Sequence, residues 1–294
     1  MIDFSNCKIN EYKYYGGHSG GKICIKYQDK DYMLKFSPKK EFKESYSNSC
    51  ISEYISCHII ETLGYNVQKT ILGTYTKNGQ EKMVVACLDF TSDGTVLKQF
   101  AEIKNGQIDT SKNGYGTDLD EVLDAIDSET IYDNIKLKEF FWELFIIDAL
   151  IGNFDRHNGN WGFLINEKEK KVELAPIFDC ASCLYPTLTD QDMEEYLNNP
   201  IEMEKRVFVF PNSALRIDNN KINYFDYINS LENVDCNNAL LKVFPRIDLN
   251  KINEIIDNTE MISNVRKRFY KEIIKLRYDK ILKSSYDKLL DENK

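Results

Sequence analysis

Ile151-Gly-Asn-Phe-Asp-Arg-His-Asn-Gly-Asn-Trp-Gly162 is the stretch that decides how this chain is read. It sets Asp155 five residues ahead of Asn160 in a polar, turn-forming segment. The preceding residues 137–151 are apolar nearly all round, which predicts a buried central helix rather than a surface one. The following residues predict a short hairpin, with strands at 161–165 and 171–174 about a turn at 166–170. Its second strand runs into Ala175-Pro-Ile-Phe-Asp179, so a second carboxylate returns 24 residues after Asp155. The two strands of a hairpin lie about 4.8 Å apart, which makes this a rigid way to bring loop and carboxylate together.

Phosphoryl transfer needs such a set. One carboxylate must orient or deprotonate the acceptor hydroxyl, and oxygen ligands must hold the Mg2+ that bridges the ATP phosphates. Asp155 takes the first part as catalytic base, and Asn160 and Asp179 take the second as metal ligands. The plain alternative is a polar turn in which the aspartate caps and the arginine pairs. The order and spacing of loop, hairpin and carboxylate set that alternative aside.

The N-terminal third supplies the remaining parts in a workable order. Tyr15-Gly-Gly-His-Ser-Gly-Gly-Lys22 is a glycine-rich turn feeding a strand. Gly17, Ser19, Gly20, Gly21 and Lys22 are therefore expected against phosphates, where backbone N–H groups can come close. Lys35 lies in the apolar strand Tyr32-Met-Leu-Lys-Phe36, where an unpaired ammonium would be costly. Glu53 is its expected partner. It sits on a helix predicted over 48–63 from Ile51, Tyr54, Ile55, His58, Ile59 and Thr62, with Gly64 as the cap. Strands near 69–75 and 82–87 flank the turn Lys77-Asn-Gly-Gln80. The second ends in Ala86-Cys-Leu-Asp-Phe90, which puts the Cys87 and Leu88 backbone where an adenine would meet it. Residues 88–116 read as a polar crossing. Residues 260–290 carry Ile262, Val265, Phe269, Ile273 and Leu276 at helical steps and predict a long, or broken, amphipathic helix. The expected fold class is α+β and bilobed, with an N-lobe of antiparallel sheet plus one helix over 1–90 and a mostly helical C-lobe over 91–294.

Charge and composition bound the partners. The 294 residues hold 38 Lys and Arg against 47 Asp and Glu, a net charge of −9, which disfavours direct nucleic-acid binding. No run approaches the roughly 20 apolar residues of a membrane span, and Met1-Ile2-Asp3-Phe4 does not start a signal peptide. The expectation is a cytoplasmic protein whose eight cysteines are reduced. Cys180-Ala-Ser-Cys183 has redox or zinc spacing, but with no second pair it reads as buried thiols.

The catalytic loop, the Phe-Asp without a following glycine, the Leu-Lys strand and the helical end together resemble the HipA-like family of bacterial serine/threonine kinases, and in particular its compact members. The resemblance implies a bilobed kinase fold, dependence on ATP and Mg2+, and a protein substrate. It places Asp155 as base, Asn160 and Asp179 on Mg2+, Lys35 on the ATP phosphates, and His157 to Asn160 on the nucleotide side. Family members phosphorylate a serine in or near the glycine turn, which makes Ser19, the one hydroxyl within 16–22, the candidate autophosphorylation site. HipA toxins carry a further subdomain before that turn, for which this sequence leaves no room, so an antitoxin partner is not carried over. Two alternatives stand beside this reading. Phosphatidylinositol kinases share an Asp-Arg-His-x-x-Asn loop, which admits a lipid or small-molecule kinase, and a nucleotide-binding pseudokinase would serve as an interaction module. The negative charge and the lack of a basic or amphipathic membrane face weigh against the first. The full set of transfer residues weighs against the second.

Overall fold

The computed structural model describes residues 2–16, 21–38, 47–91, 94–107 and 113–292. The first part is a six-stranded sheet. It comprises β1 (Ile2–Asp3), β2 (Lys8–Ile9), β3 (Lys22–Tyr27), β4 (Lys30–Phe36), β5 (Thr70–Lys77) and β6 (Gln80–Leu88), with α1 (Ser49–Thr62) inserted after β4. The order is β1-β5-β6-β4-β3-β2, antiparallel throughout except for β1 against β5. Gln28 and Asp29 both take positive φ, 48° and 61°, the geometry that lets a two-residue loop turn β3 tightly into β4. Along β4 the side chains alternate: Tyr32 and Leu34 enter a small core with Phe4, Ile25, Val84 and Ala86, while Met33 packs on the opposite side with Cys50, Val85 and Cys87. Lys35 shares the face of Met33.

Residues 88–116 are more than a polar crossing. They form β7 (Thr95–Gln99) and α2 (Phe100–Gln107), and β7 pairs antiparallel with β8 (Gly162–Asn166). With β9 (Lys171–Leu174), the predicted hairpin becomes a three-stranded sheet in the order β7-β8-β9. Its close pairing requires Gly162, where a Cβ would stand 2.2 Å from the Lys98 carbonyl oxygen. Between β7 and β8 come α3 (Leu119–Asp127) and α4 (Asn134–Ile151). The helix α4 is the buried axis of the helical half, with Trp142, Ile146, Ile147 and Ala149 fully enclosed. It stops at Gly152, whose left-handed φ of 65° reverses the chain into the loop that holds Asp155.

The remainder is α5 (Asp190–Leu197), α6 (Pro200–Phe208), the hairpin β10 (Asn212–Ile217) and β11 (Asn220–Asn223), then α7 (Tyr224–Ser230), α8 (Val234–Val243) and α9 (Leu249–Asn258). The long terminal helix is divided into α10 (Asn264–Arg277), a π-helical stretch Tyr278–Lys283, and α11 (Ser284–Glu292). Ile55, Ile59 and Ile60 of α1 belong to the same large core as Trp142, Phe269 and Ile273. The helix that carries Glu53 is thus seated on the helical half as well as on the sheet. Among the described residues no helix is long and apolar enough to cross a membrane.

Candidate active site

A cavity of about 780 Å³ opens between the sheet and the helical half, within the range of small-ligand sites. Met33 and Lys35 of β4, Lys22 of β3, and Tyr15 and Gly16 line it from above. Asp155, His157, Gly159 and Asn160 line it from below, with Phe178 and Asp179 beside them. Asp89, Phe90 and Thr91 close it at the crossing, and Leu97, Gln99 and Tyr115 form the far rim.

The central feature is a lysine between two acids. Lys35 Nζ donates to Glu53 Oε2 at 2.8 Å and to Asp179 Oδ1 at 3.1 Å. Burial alone would depress the ammonium, but Asp179 and then Glu53 hold its pKa well above the ordinary lysine range. The Asp179 carboxyl is correspondingly lowered, first by Lys35. Glu53 is fully enclosed, and its other oxygen accepts from the Cys180 N–H at 3.1 Å. Burial pushes the Glu53 pKa up and Lys35 pulls against it. Accepting hydrogen bonds on both oxygens is the behaviour of a carboxylate. Asp179 itself takes a left-handed φ of 57°, unusual for a residue with a Cβ, and the surrounding bonds fix it there.

Below, the loop is shaped by bonds to its own backbone. The Asp155 carbonyl accepts from Asn160 Nδ2 and from the His157 N–H, each at 2.8 Å, and the Asp155 N–H donates to Asn153 Oδ1 at 3.1 Å. The Asp155 side chain is exposed to the cavity. Desolvation by the walls raises its pKa, the nearby Asp179 adds to the rise, and His157 opposes it.

Arg156 ties this loop down. Its guanidinium meets Asp148 twice, at 3.0 and 3.1 Å, and donates to the carbonyls of Asn160 at 3.0 Å and Phe178 at 2.5 Å. Asn158 Nδ2 donates to the Gly114 and Gly116 carbonyls, both at 2.8 Å. Sequence reasoning gave Arg156 and Asp148 no role in the site, and gave Asn158 only a place on the nucleotide side. The signal for the pair was present: Asp148 interrupts an apolar helix, and a buried charge requires a partner.

The structure brings Lys22, Lys35, Asp155, His157, Asn160 and Asp179 to one cavity. Glu53 stands behind Lys35 and reaches the cavity only through it. Cys87 and Leu88 are not among the residues that line it, although their neighbours Asp89, Gln68 and Met33 are. Cys87 is held in the ladder opposite Met33 and Thr70 with no exposed surface. The Leu88 N–H donates to the Lys69 carbonyl at 2.8 Å, and its own carbonyl accepts from Gln68 Nε2 at 3.0 Å. The carbonyl thus meets the side chain of Gln68, itself a lining residue, and the cavity wall continues one residue later, at Asp89. Gly21 also stays outside, its carbonyl accepting from the Phe36 N–H at 3.2 Å. Gly17, Ser19 and Gly20 lie outside the described residues. All eight cysteines are free, and Cys180 and Cys183 are buried.

The family model described as the HipA-like C-terminal domain matches residues 13–265. The chain belongs to the HipA-like family. It is 48% identical over 279 residues to the serine/threonine-protein kinase CtkA of Helicobacter pylori, covering 94% of this chain and 85% of that protein. The crystal structure of a Helicobacter pylori proinflammatory kinase CtkA superimposes with a TM-score of 0.93 at 46% identity, covering 99% of this chain and 98% of the other. HipA of Shewanella oneidensis, solved with HipB and operator DNA, shares the fold at a TM-score of 0.54 and 16% identity, over 95% of this chain and 70% of that one. This HipA-like chain is therefore an enzyme, a serine/threonine protein kinase with a mixed α/β kinase-like fold. As such it takes ATP and a divalent metal ion and acts on protein.

Proposed function

We propose that this cavity is the phosphoryl-transfer site, with ATP and Mg2+ bound between the sheet and the loop 153–160. The observation that carries the reading is Lys35, held between Glu53 and Asp179 inside a cavity that Asp155 and Asn160 also line. The residues suit Mg2+. Asn160 commits its amide nitrogen to the Asp155 carbonyl, which leaves Oδ1 as its acceptor atom. Asp179 offers a second oxygen close by. The described residues hold no cluster of three or more His, Cys, Asp and Glu that could hold a metal. An ion held by Asn160 and Asp179 would be completed by phosphates and water. When bound, the ion neutralises charge on the β- and γ-phosphate oxygens.

The protein's own part is orientation and proton transfer. Lys35, kept cationic by its two acids, faces the phosphates, and His157 lines the nucleotide side. Asp155 accepts the proton of a serine or threonine hydroxyl as that oxygen bonds to the γ-phosphorus and the bond to ADP breaks. Arg156 acts through others, fixing the base, the loop and the Phe178 carbonyl in one geometry. In this reading 1–90 and 91–294 serve as the two lobes, the first bringing Lys35 and the second Asp155, Asn160 and Asp179. The eight free thiols suit a reducing, cytoplasmic setting.

The test is transfer from labelled ATP to a generic protein such as myelin basic protein, beside phosphatidylinositol liposomes. Serine or threonine labelling by the parent and none by Asp155→Asn is expected. Label confined to lipid would overturn the reading.

A further inference from the structure

Asp89 is an acid that the mechanism above does not use. It is the first residue past β6, its side chain is 2% exposed, and it borders the cavity. Four donors converge on its carboxylate. Tyr15 Oη donates to Oδ2 at 2.5 Å, and Lys13 Nζ reaches the same oxygen at 2.6 Å. The Thr91 N–H and Oγ1 donate to Oδ1 at 2.8 and 2.6 Å. Its N–H is spent on the Asp31 carbonyl at 3.0 Å, where β4 begins. A carboxylate so saturated has no capacity left for a ligand. It joins parts of the chain instead.

Those parts matter. Tyr15 and Gly16 open the glycine-rich turn and line the roof of the cavity, while Asp89 to Thr91 line its back. Lys22, at the other end of the turn, donates to the Gly16 carbonyl at 2.7 Å. The first limb of the turn is therefore tied twice, to β3 through Lys22 and to the crossing through Tyr15.

We infer that Tyr15 and Asp89 are positioning residues for the nucleotide: their hydrogen bond clasps Tyr15 and Gly16 to the crossing segment and sets the depth of the ATP site. The inference rests on the proposed phosphoryl-transfer reading. The clasp touches the roof and back of the cavity and none of Asp155, Asn160 or Asp179. Its loss therefore raises KM for ATP and leaves kcat in place.

Tyr15→Phe isolates the effect, because it keeps the ring and removes only the hydroxyl. A KM for Mg2+-ATP raised about tenfold is expected, as a hydrogen bond to a charged group is worth that much or more, with kcat within about twofold and the melting midpoint lowered by about 3–6 °C. Asp89→Asn should raise KM similarly. Asp89→Asn also weakens the Lys13 and Thr91 contacts, so the double variant should be no worse than Asp89→Asn alone, because the Tyr15 hydroxyl acts through that carboxylate. If Asp89→Asn does not fold, Tyr15→Phe carries the test alone. A folded Tyr15→Phe protein with parental KM overturns the clasp, as does a loss confined to kcat. A parent protein that neither binds nor turns over ATP overturns the proposed function and the clasp with it. Parental turnover with an unchanged Tyr15→Phe sinks the clasp alone.

Discussion

Replacing Glu53 tests how the buried lysine is balanced. Glu53→Ala removes the acceptor of two hydrogen bonds, from Lys35 Nζ and from the Cys180 N–H. The first is charge-assisted and contributes about 1.5–3 kcal/mol, and an orphaned buried amide costs about 1–3 kcal/mol. Asp179 still contacts Lys35 at 3.1 Å, so the ammonium is not left uncompensated and the sum stays near the lower bound. The expected loss for the alanine is about 3 kcal/mol. Glu53→Gln keeps one oxygen, which can still accept from the Cys180 N–H, but its NH2 cannot accept from Lys35, so the lost charge-assisted bond costs about 1.5 kcal/mol. At about 2–4 °C per kcal/mol for a chain of this size, the alanine should melt about 6–12 °C below the parent and the glutamine about 3–6 °C below. Activity should order differently. Without the Glu53 charge, Lys35 turns wholly to Asp179 and competes with the metal ion there. Glu53→Gln should therefore lower kcat/KM by about tenfold or more, a larger effect than its modest stability change implies. Calorimetric melting beside steady-state kinetics reads both quantities. Parental kcat/KM in Glu53→Gln would falsify the balance described here, and so would equal melting losses for the two variants.

Asp155→Asn should abolish transfer while leaving folding and ATP binding intact, because asparagine fills the space but cannot take the hydroxyl proton. Activity within about tenfold of the parent refutes the role, since a base typically contributes about 10²-fold or more. Asp179→Asn should weaken Mg2+-dependent binding of a non-hydrolysable ATP analogue more than Asp155→Asn does, and equal calorimetric affinities count against the metal assignment. The pH dependence follows from Asp155, whose pKa is raised from the ordinary 3.8 chiefly by burial. Only its ionised form accepts a proton, so kcat/KM should fall as pH drops through that raised value. An acid limb at or below the ordinary aspartate range would contradict the assignment.

The parts legible in the sequence were those encoded locally. The strands about Gln28–Asp29, the helix around Glu53 and the apolar helix before Gly152 announce themselves by period and punctuation. So does the loop from Asp155 to Asn160, because its spacing is itself the signal. Other parts depended on distant partners. Thr95–Gln99 is too short and too polar to read as a strand until β8 lies beside it. Cys87 and Leu88 end a strand, as residues facing an adenine would. That their neighbours Lys69 and Gln68 also hydrogen-bond the Leu88 backbone is something no local pattern announces. Arg156 looked like turn polarity because its partners sit as far off as Phe178. Asp89 looked like an ordinary residue after a strand because its donors begin at Lys13.

Arg156 also says something about how the enzyme comes into being. One guanidinium holds Asp148 near the end of a helix, the Asn160 carbonyl within the loop, and the Phe178 carbonyl beyond the hairpin. No segment of this loop is long or apolar enough to keep that shape alone. The shape exists only once the helix, the three-stranded sheet and the strand end have met around the arginine. Catalytic competence therefore waits on long-range contacts and is the property of no single element.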